Sequence, residues 1–234
     1  MTTNNTKSNY DMKSFSLKRT LCCATLMVST ASLSSCGKQI RGSGSIVTDT
    51  RPLGSFTIVE AYGSEKIEIL PSSENKVEVS GYENLVPAFE THIVNGRLKL
   101  EYRKGYYIVR NSNIRVKVYA KELETVRLNG SGYMSVGRFP DQPSLRAEMN
   151  GSGEIAIAET YFGKLTMDLN GSGEIYAFEA LADTAYAKVS GSGSVKIRVN
   201  TYLDARISGS GGITYKGNPI VHQDIHGSGR VRKW

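Results

Sequence analysis

The chain has 234 residues, 39% of them hydrophobic and 22% charged, with a formal net charge of +7. That length suits one domain, or two small ones, with a sizeable core. Its 24 glycines against 6 prolines exclude a collagen-like or proline-rich disordered chain, and 3 His with 3 Cys leave little material for a metal cluster or a disulfide framework.

Part of the charge belongs to the N-terminus, where residues 1–35 hold Lys7, Lys13, Lys18 and Arg19 against Asp11. The remainder carries 25 basic against 21 acidic residues, a net +4. The uncharged stretch from Leu21 to Leu33 is shorter than the roughly 20 apolar residues a membrane-spanning helix needs. Basic residues followed by a short apolar run read as an export signal. Its end, Leu33-Ser34-Ser35-Cys36, resembles a bacterial lipoprotein signal, in which the cysteine is lipidated and becomes the new N-terminus. That resemblance implies a signal peptide over 1–35, a lipidated N-terminus and tether over 36–45, and anchoring in a membrane through Cys36. Ordinary secretion, with Cys36 incidental, is the alternative. Cys22 and Cys23 fall in the discarded segment, so the mature chain has no internal disulfide. Gly37 lacks the acidic signal for inner-membrane retention, and residues 37–41 lack the acidic run that marks surface export in many Bacteroidetes lipoproteins. The expectation is an outer-membrane anchor in the cell envelope, facing the periplasm or displayed outside.

Residues 46–125 are strand-rich. Phe56–Val59, Lys66–Ile69, Lys76–Val79 and Ile114–Val118 alternate apolar and polar residues. Asn95-Gly96, between His92-Ile93-Val94 and Leu98-Lys99-Leu100, is a hairpin signal. Glu83–Glu90, interrupted by Pro87, reads as a short helical turn or a loop. Tyr102, Tyr106, Tyr107 and Tyr119 lie among Lys99, Arg103, Lys104, Arg110, Arg115 and Lys117. Aromatics beside cations can stack on sugar rings, which makes this a candidate ligand surface, although a half-buried strand surface is the simpler reading. This region is expected to continue the architecture of the second half with longer or irregular coils; a separate small sheet domain is the alternative.

From residue 126 the chain repeats. Gly-Ser-Gly recurs with its first glycine at Gly130, Gly151, Gly171, Gly191, Gly209 and Gly227 and its second at Gly132, Gly153, Gly173, Gly193, Gly211 and Gly229. Apolar residues occupy every second position on both sides, from Val126/Leu128 and Met134/Val136 to Val195/Ile197. Each unit is therefore strand, corner, strand, turn. A unit of about 20 residues buries roughly four side chains, at most around 12 kcal/mol, against some 20–40 kcal/mol of backbone ordering. Units this small have to stack, which predicts a regular β-solenoid over 126–234. Six coils at about 4.8 Å make a column on the order of 29 Å tall. Asn129, Asn150 and Asn170 precede three corners in the same slot, where stacked amides can bond along the column. The outward slot reads Arg127, Glu148, Asp168, Lys188, Arg206, Asp224, and three of its five steps oppose charges. Arg230, Arg232 and Lys233 on the last strand would discourage another chain from pairing there.

Gly42-Ser43-Gly44, Arg51-Pro52-Leu53-Gly54-Ser55-Phe56 and the Gly-Ser-Gly ladder together resemble the putative auto-transporter adhesin, head GIN domain family, over about residues 46–230. The resemblance implies an all-β fold, a right-handed parallel β-helix, in proteins mostly exported by Bacteroidetes. It supplies no catalytic residues.

Three kinds of chemistry fare poorly. Phosphate-binding glycine loops open a helix, whereas each Gly-Ser-Gly here opens a strand and none is followed by Lys-Ser or Lys-Thr. Calcium-binding β-rolls need a nonapeptide period with an Asp, whereas the matching slot reads Tyr133, Glu154, Glu174, Ser194, Gly212, Arg230. Glu154 and Glu174 would sit about 5 Å apart on adjacent coils, most simply as a solvated pair. No region concentrates Asp, Glu, Arg and His as an acid–base site would, and His92, His222 and His226 have no evident triad partners. No catalytic residue, metal or cofactor is therefore expected. The reading is a lipid-anchored noncatalytic solenoid for adhesion, binding or scaffolding, with a glycan or an envelope protein as ligand and no nucleic acid. A carbohydrate-active enzyme on the same fold is the alternative.

Overall fold

The computed structural model of the chain describes residues 38–110, 112–140 and 142–234. Cys36 and segment 1–35, on which the export and lipid-anchor expectations rest, lie outside them. Among the described residues no helix is long and apolar enough to cross a membrane. The described residues are nearly all β, with one 3-10 turn at Val86–Ala88 around Pro87.

The repeating unit is two strands back to back. Thr125–Gly130 and Tyr133–Val136 alternate in and out, and their inward side chains Val126, Leu128, Met134 and Val136 are buried between the two faces. Ser144–Gly151 with Glu154–Ile157 repeats the unit one coil higher. Tyr161–Gly171, Glu174–Gly191 and Ser194–Gly209 carry it on, and Gly212–Lys216, Ile220–His226 and Arg230–Lys233 complete it. Every pairing between these coils is parallel. Asn129, Asn150, Asn170, Ser190, Ser208 and His226 lie directly over one another. The second half is thus the parallel β-solenoid that its period requires.

The column extends below residue 126. Ile58–Gly63 runs parallel beneath Thr125–Gly130, and Lys66–Pro71 runs parallel beneath Tyr133–Val136. Gly63-Ser64-Glu65 therefore occupies a corner position, one glycine short of the motif. A further layer lies under it, with Arg97–Tyr102 beneath Ile58–Gly63 and Arg115–Ala120 beneath Lys66–Pro71. The stack is not built in chain order: the layer of 58–71 comes first, the chain drops to form the layer beneath, and it climbs past both at Thr125. Antiparallel strands close this base. Lys76–Tyr82 joins Arg115–Ala120 to Ile46–Pro52, and Phe89–Val94 pairs with Arg97–Tyr102 through Asn95 and Gly96, both at positive φ. Between Tyr102 and Arg115 the chain leaves the coil, and Tyr106–Arg110 pairs in parallel with Lys38–Arg41. The core runs unbroken from Phe89 and Leu98 at the base to Ile213 near the top.

Candidate functional site

The corners are a continuous backbone ladder. The first glycine of each has φ between +122° and +142°, a conformation that L side chains rarely adopt. A Cβ on Gly151 would fall on the carbonyl oxygen of Gly130, and one on Gly171 on that of Gly151. That carbonyl accepts two bonds from the coil above: Ser152 N–H and Gly153 N–H donate to Gly130 O at 3.1 and 3.2 Å. The second glycine lies outside the left-handed region but is just as crowded. A Cβ there would meet the carbonyl of its counterpart one coil below and, in most coils, an inward side chain as well: Gly132 O and Leu128 at Gly153, Gly173 O and Leu169 at Gly193. In the first five corners only the serine between them is exposed. Beside the corner, Asn150 Nδ2 donates to Asn129 Oδ1 at 3.0 Å and Asn170 Nδ2 to Asn150 Oδ1 at 3.1 Å.

At the bottom of this ladder the layer beneath has no corner, and a side chain takes its place. Ser64 N–H donates to the carboxylate of Glu65 at 2.9 Å, and Glu65 Oε2 is the atom a Cβ on Gly63 would strike. The carboxylate thus stands where a glycine carbonyl stands in every coil above. Ser112 Oγ donates to its other oxygen at 3.2 Å. Glu65 is 6% exposed, and burial raises its pKa despite these bonds.

The outward charges interlock. Arg127 bridges Glu60 (3.2 Å) and Glu148 (2.5 Å), and Arg146 bridges Glu148 and Asp168, each at 2.5 Å. Burial opposes ionisation of Glu148, but the two guanidinium groups outweigh it and hold the carboxyl below its usual range. Glu154 and Glu174 are register partners, and Lys196 Nζ lies 2.7 Å from Glu174. Among the described residues no group of three His, Cys, Asp or Glu side chains is placed to hold a metal.

Tyr102 and Tyr119, from the candidate ligand surface of the first half, are held by different neighbours. Tyr102 packs edge-on against Phe89, its hydroxyl lies 3.1 Å from Ser112 Oγ, and burial pushes its pKa up to about 12. Tyr119 donates to Glu78 at 3.1 Å under the Lys76 ammonium. Tyr106 and Tyr107 lie on the strand beside Lys38–Arg41.

A different tyrosine lines a cavity of about 700 Å³ at the second corner of the coils. That corner shortens abruptly: six residues (178–183) separate Ala177 from Thr184, but only four (198–201) separate the partners Ile197 and Tyr202 one coil higher. The wider coils below project as a ledge. Its floor is Phe139, Pro143 and Leu181, with Tyr161 beside it, 55% exposed. Tyr161 donates its hydroxyl to Asp183, which also accepts from Asn200 Nδ2 at 3.3 Å. In sequence the only sign of this ledge is the drop in corner spacing from 20 residues to 18.

A family model described as "Putative auto-transporter adhesin, head GIN domain" matches residues 55–219, most of the described column. The chain belongs to this family. Solved structures share its fold. A putative adhesin from Bacteroides fragilis NCTC 9343 is 18% identical, with a TM-score of 0.67 over 83% of this chain and 100% of its own. A putative lipid binding protein from Parabacteroides distasonis ATCC 8503 is 25% identical, with a TM-score of 0.56 over 84% and 100%. A putative adhesin from Parabacteroides merdae ATCC 43184 is 22% identical, with a TM-score of 0.54 over 84% and 99%. None of the curated proteins matches the chain.

Proposed function

We propose that this head GIN domain is a noncatalytic, adhesin-like binding protein of the cell envelope, tethered through lipid on Cys36. The observation that carries the reading is the in-register column itself. Its backbone ladders and interlocked charges make a rigid body, and rigidity lowers the entropy lost when a surface docks on a partner. Membership in a family described by adhesion supports it, as do two structural relatives described as adhesins. The arrangement of carboxylates also supports it. The strongly paired Glu148 is held ionised by guanidinium groups, and Glu65, the one carboxyl pushed upward among the described residues, is spent inside the fold.

The anchor is tested by labelled palmitate in the bacterium that makes the protein: the wild type incorporates label and Cys36→Ser does not. Binding is tested with beads coated with the full chain, which attach saturably to envelope or host-cell surfaces. Release of reducing ends from a polysaccharide panel during prolonged incubation would replace this reading with a carbohydrate-active enzyme.

A further inference from the structure

We infer that the ledge at the second corner is a subsite for one neutral sugar ring; the inference rests on the binding reading above and gives it a location and a ligand class. The cavity is a consequence of coil length. Corners of six residues below and four above leave a step, and Arg198, the first residue of the short corner, lies over Leu181, which lies over Tyr161. A pocket of about 700 Å³ is large enough for a mono- or disaccharide.

Its chemistry is that of a sugar site. The exposed ring of Tyr161 offers a flat apolar face, and its hydroxyl is held by Asp183, so the ring is positioned before anything binds. Leu181, Phe139 and Pro143 continue that apolar surface, against which the C–H face of a pyranose can pack. Around it stand Arg138, Arg198, Glu159 and Glu179, with no ion pair to any of the four among the described residues. Guanidinium and carboxylate groups recognise vicinal hydroxyls through paired hydrogen bonds. Thr160 also lines the cavity; it is 6% exposed, and its Oγ1 has no hydrogen-bond partner among the described residues. That hydroxyl lies inside the cavity wall rather than at its surface. Two arginines balance two glutamates, so the rim carries no net charge to attract an acidic sugar. The four charged side chains also disfavour an acyl chain, which would desolvate them without pairing them.

The test uses the full chain in detergent and saturation-transfer NMR. The probes are the methyl glycosides of glucose, galactose, mannose and N-acetylglucosamine, with glucuronic acid as the acidic comparator; affinities come from calorimetry. The expected result is saturable binding of at least one neutral glycoside, weakened at least tenfold by Tyr161→Ala and retained by Tyr161→Phe. Arg198→Gln, on the short corner, weakens it severalfold with an unchanged circular dichroism spectrum. Preference for glucuronic acid, or binding that survives both Tyr161→Ala and Arg198→Gln, overturns the subsite and leaves the adhesin reading standing. Silence across the panel while coated beads still attach to cells overturns the subsite alone; silence with no attachment overturns both.

Discussion

The three residues of each corner answer to different constraints, and substitution separates them. At Gly171 the backbone is at φ +130° and an added Cβ meets the carbonyl of Gly151; at Gly173 it meets Met149 and the carbonyl of Gly153; Ser172 faces solvent. Gly171→Ala combines roughly 1–2 kcal/mol of left-handed backbone cost with a backbone collision, and is expected to destabilise by about 3 kcal/mol or more. Ser172→Ala should change stability by no more than about 0.5 kcal/mol, both read by urea unfolding. Equal effects at the two positions would disprove this division of roles. Glu65 gives a second residue-level test. Its pKa is raised by burial, so the folded state holds the proton more tightly than the unfolded one. The stabilisation from that proton is complete below the ordinary carboxylate value of 4.5 and is lost as pH rises through the folded value. Glu65→Gln keeps an oxygen for Ser64 N–H without the titration. The stability of the variant relative to wild type should therefore increase as pH rises above 4.5 and level off beyond the folded pKa. A difference that stays flat from pH 4 to 8 would remove Glu65 from this role.

Between strands the decisive question is which residues become neighbours one coil apart. Arg127 has Glu60 below and Glu148 above, and the side chain of Glu60 is only 7% exposed. Arg127→Ala leaves that carboxylate buried without its guanidinium, which should cost about 2–3 kcal/mol once partial exposure of the arginine is discounted. Lys188, in the same slot three coils up, has no ion pair among the described residues, and Lys188→Ala should cost less than about 0.5 kcal/mol. Chemical denaturation of the two variants checks the contrast. The same neighbour logic decides what could be read from the sequence. From Gly130 upward, coil neighbours are also repeat neighbours, so the corner glycines, the Asn amides and the charge slot all appear as a period. Gly63 sits under Gly130 but precedes it by 67 residues, and its corner ends in Glu65, so nothing periodic marks it. Tyr102 and Tyr119 are close in sequence beside Tyr106 and Tyr107, yet the base fold turns Tyr102 onto Phe89 and Tyr119 onto Lys76 and Glu78. Proximity along the chain carried no information about facing there, because an excursion separates Tyr102 from Tyr119. The ledge at Tyr161 is the intermediate case. The shortened spacing was visible, but which of the two corners absorbed the loss is a matter of register.

The whole column has unlike ends, and that asymmetry governs how it comes apart. The base is closed by antiparallel strands and by Glu65, whereas among the described residues Ile220–His226 and Arg230–Lys233 pair with a coil on one side only. In the last coil Ile220 is 74% exposed, Ile225 36% and Trp234 76%. In a stacked array each coil is stabilised by its neighbours, so a coil with one neighbour and little buried apolar surface opens first. Trp234 is the single tryptophan of the chain. Its ring lies 5.5 Å from that of Phe178 and 5.8 Å from Lys216 Nζ, so its emission reports the closure of the top coil. Far-ultraviolet circular dichroism reports the whole column. The expected outcome is two transitions that do not coincide: Trp234 emission changes at lower urea than the circular dichroism signal. Hydrogen exchange should then rank amides in the same order, fastest over 220–233 and slowest around Leu145–Leu169, where each strand has a coil above and below. Lys216→Ala removes the cation over both rings. It should lower the emission midpoint and leave the circular dichroism midpoint in place. A single shared transition, unmoved or moved as one by that substitution, would mean that the open end is coupled to the core as tightly as any interior coil, and the nearest-neighbour account of the column would fail.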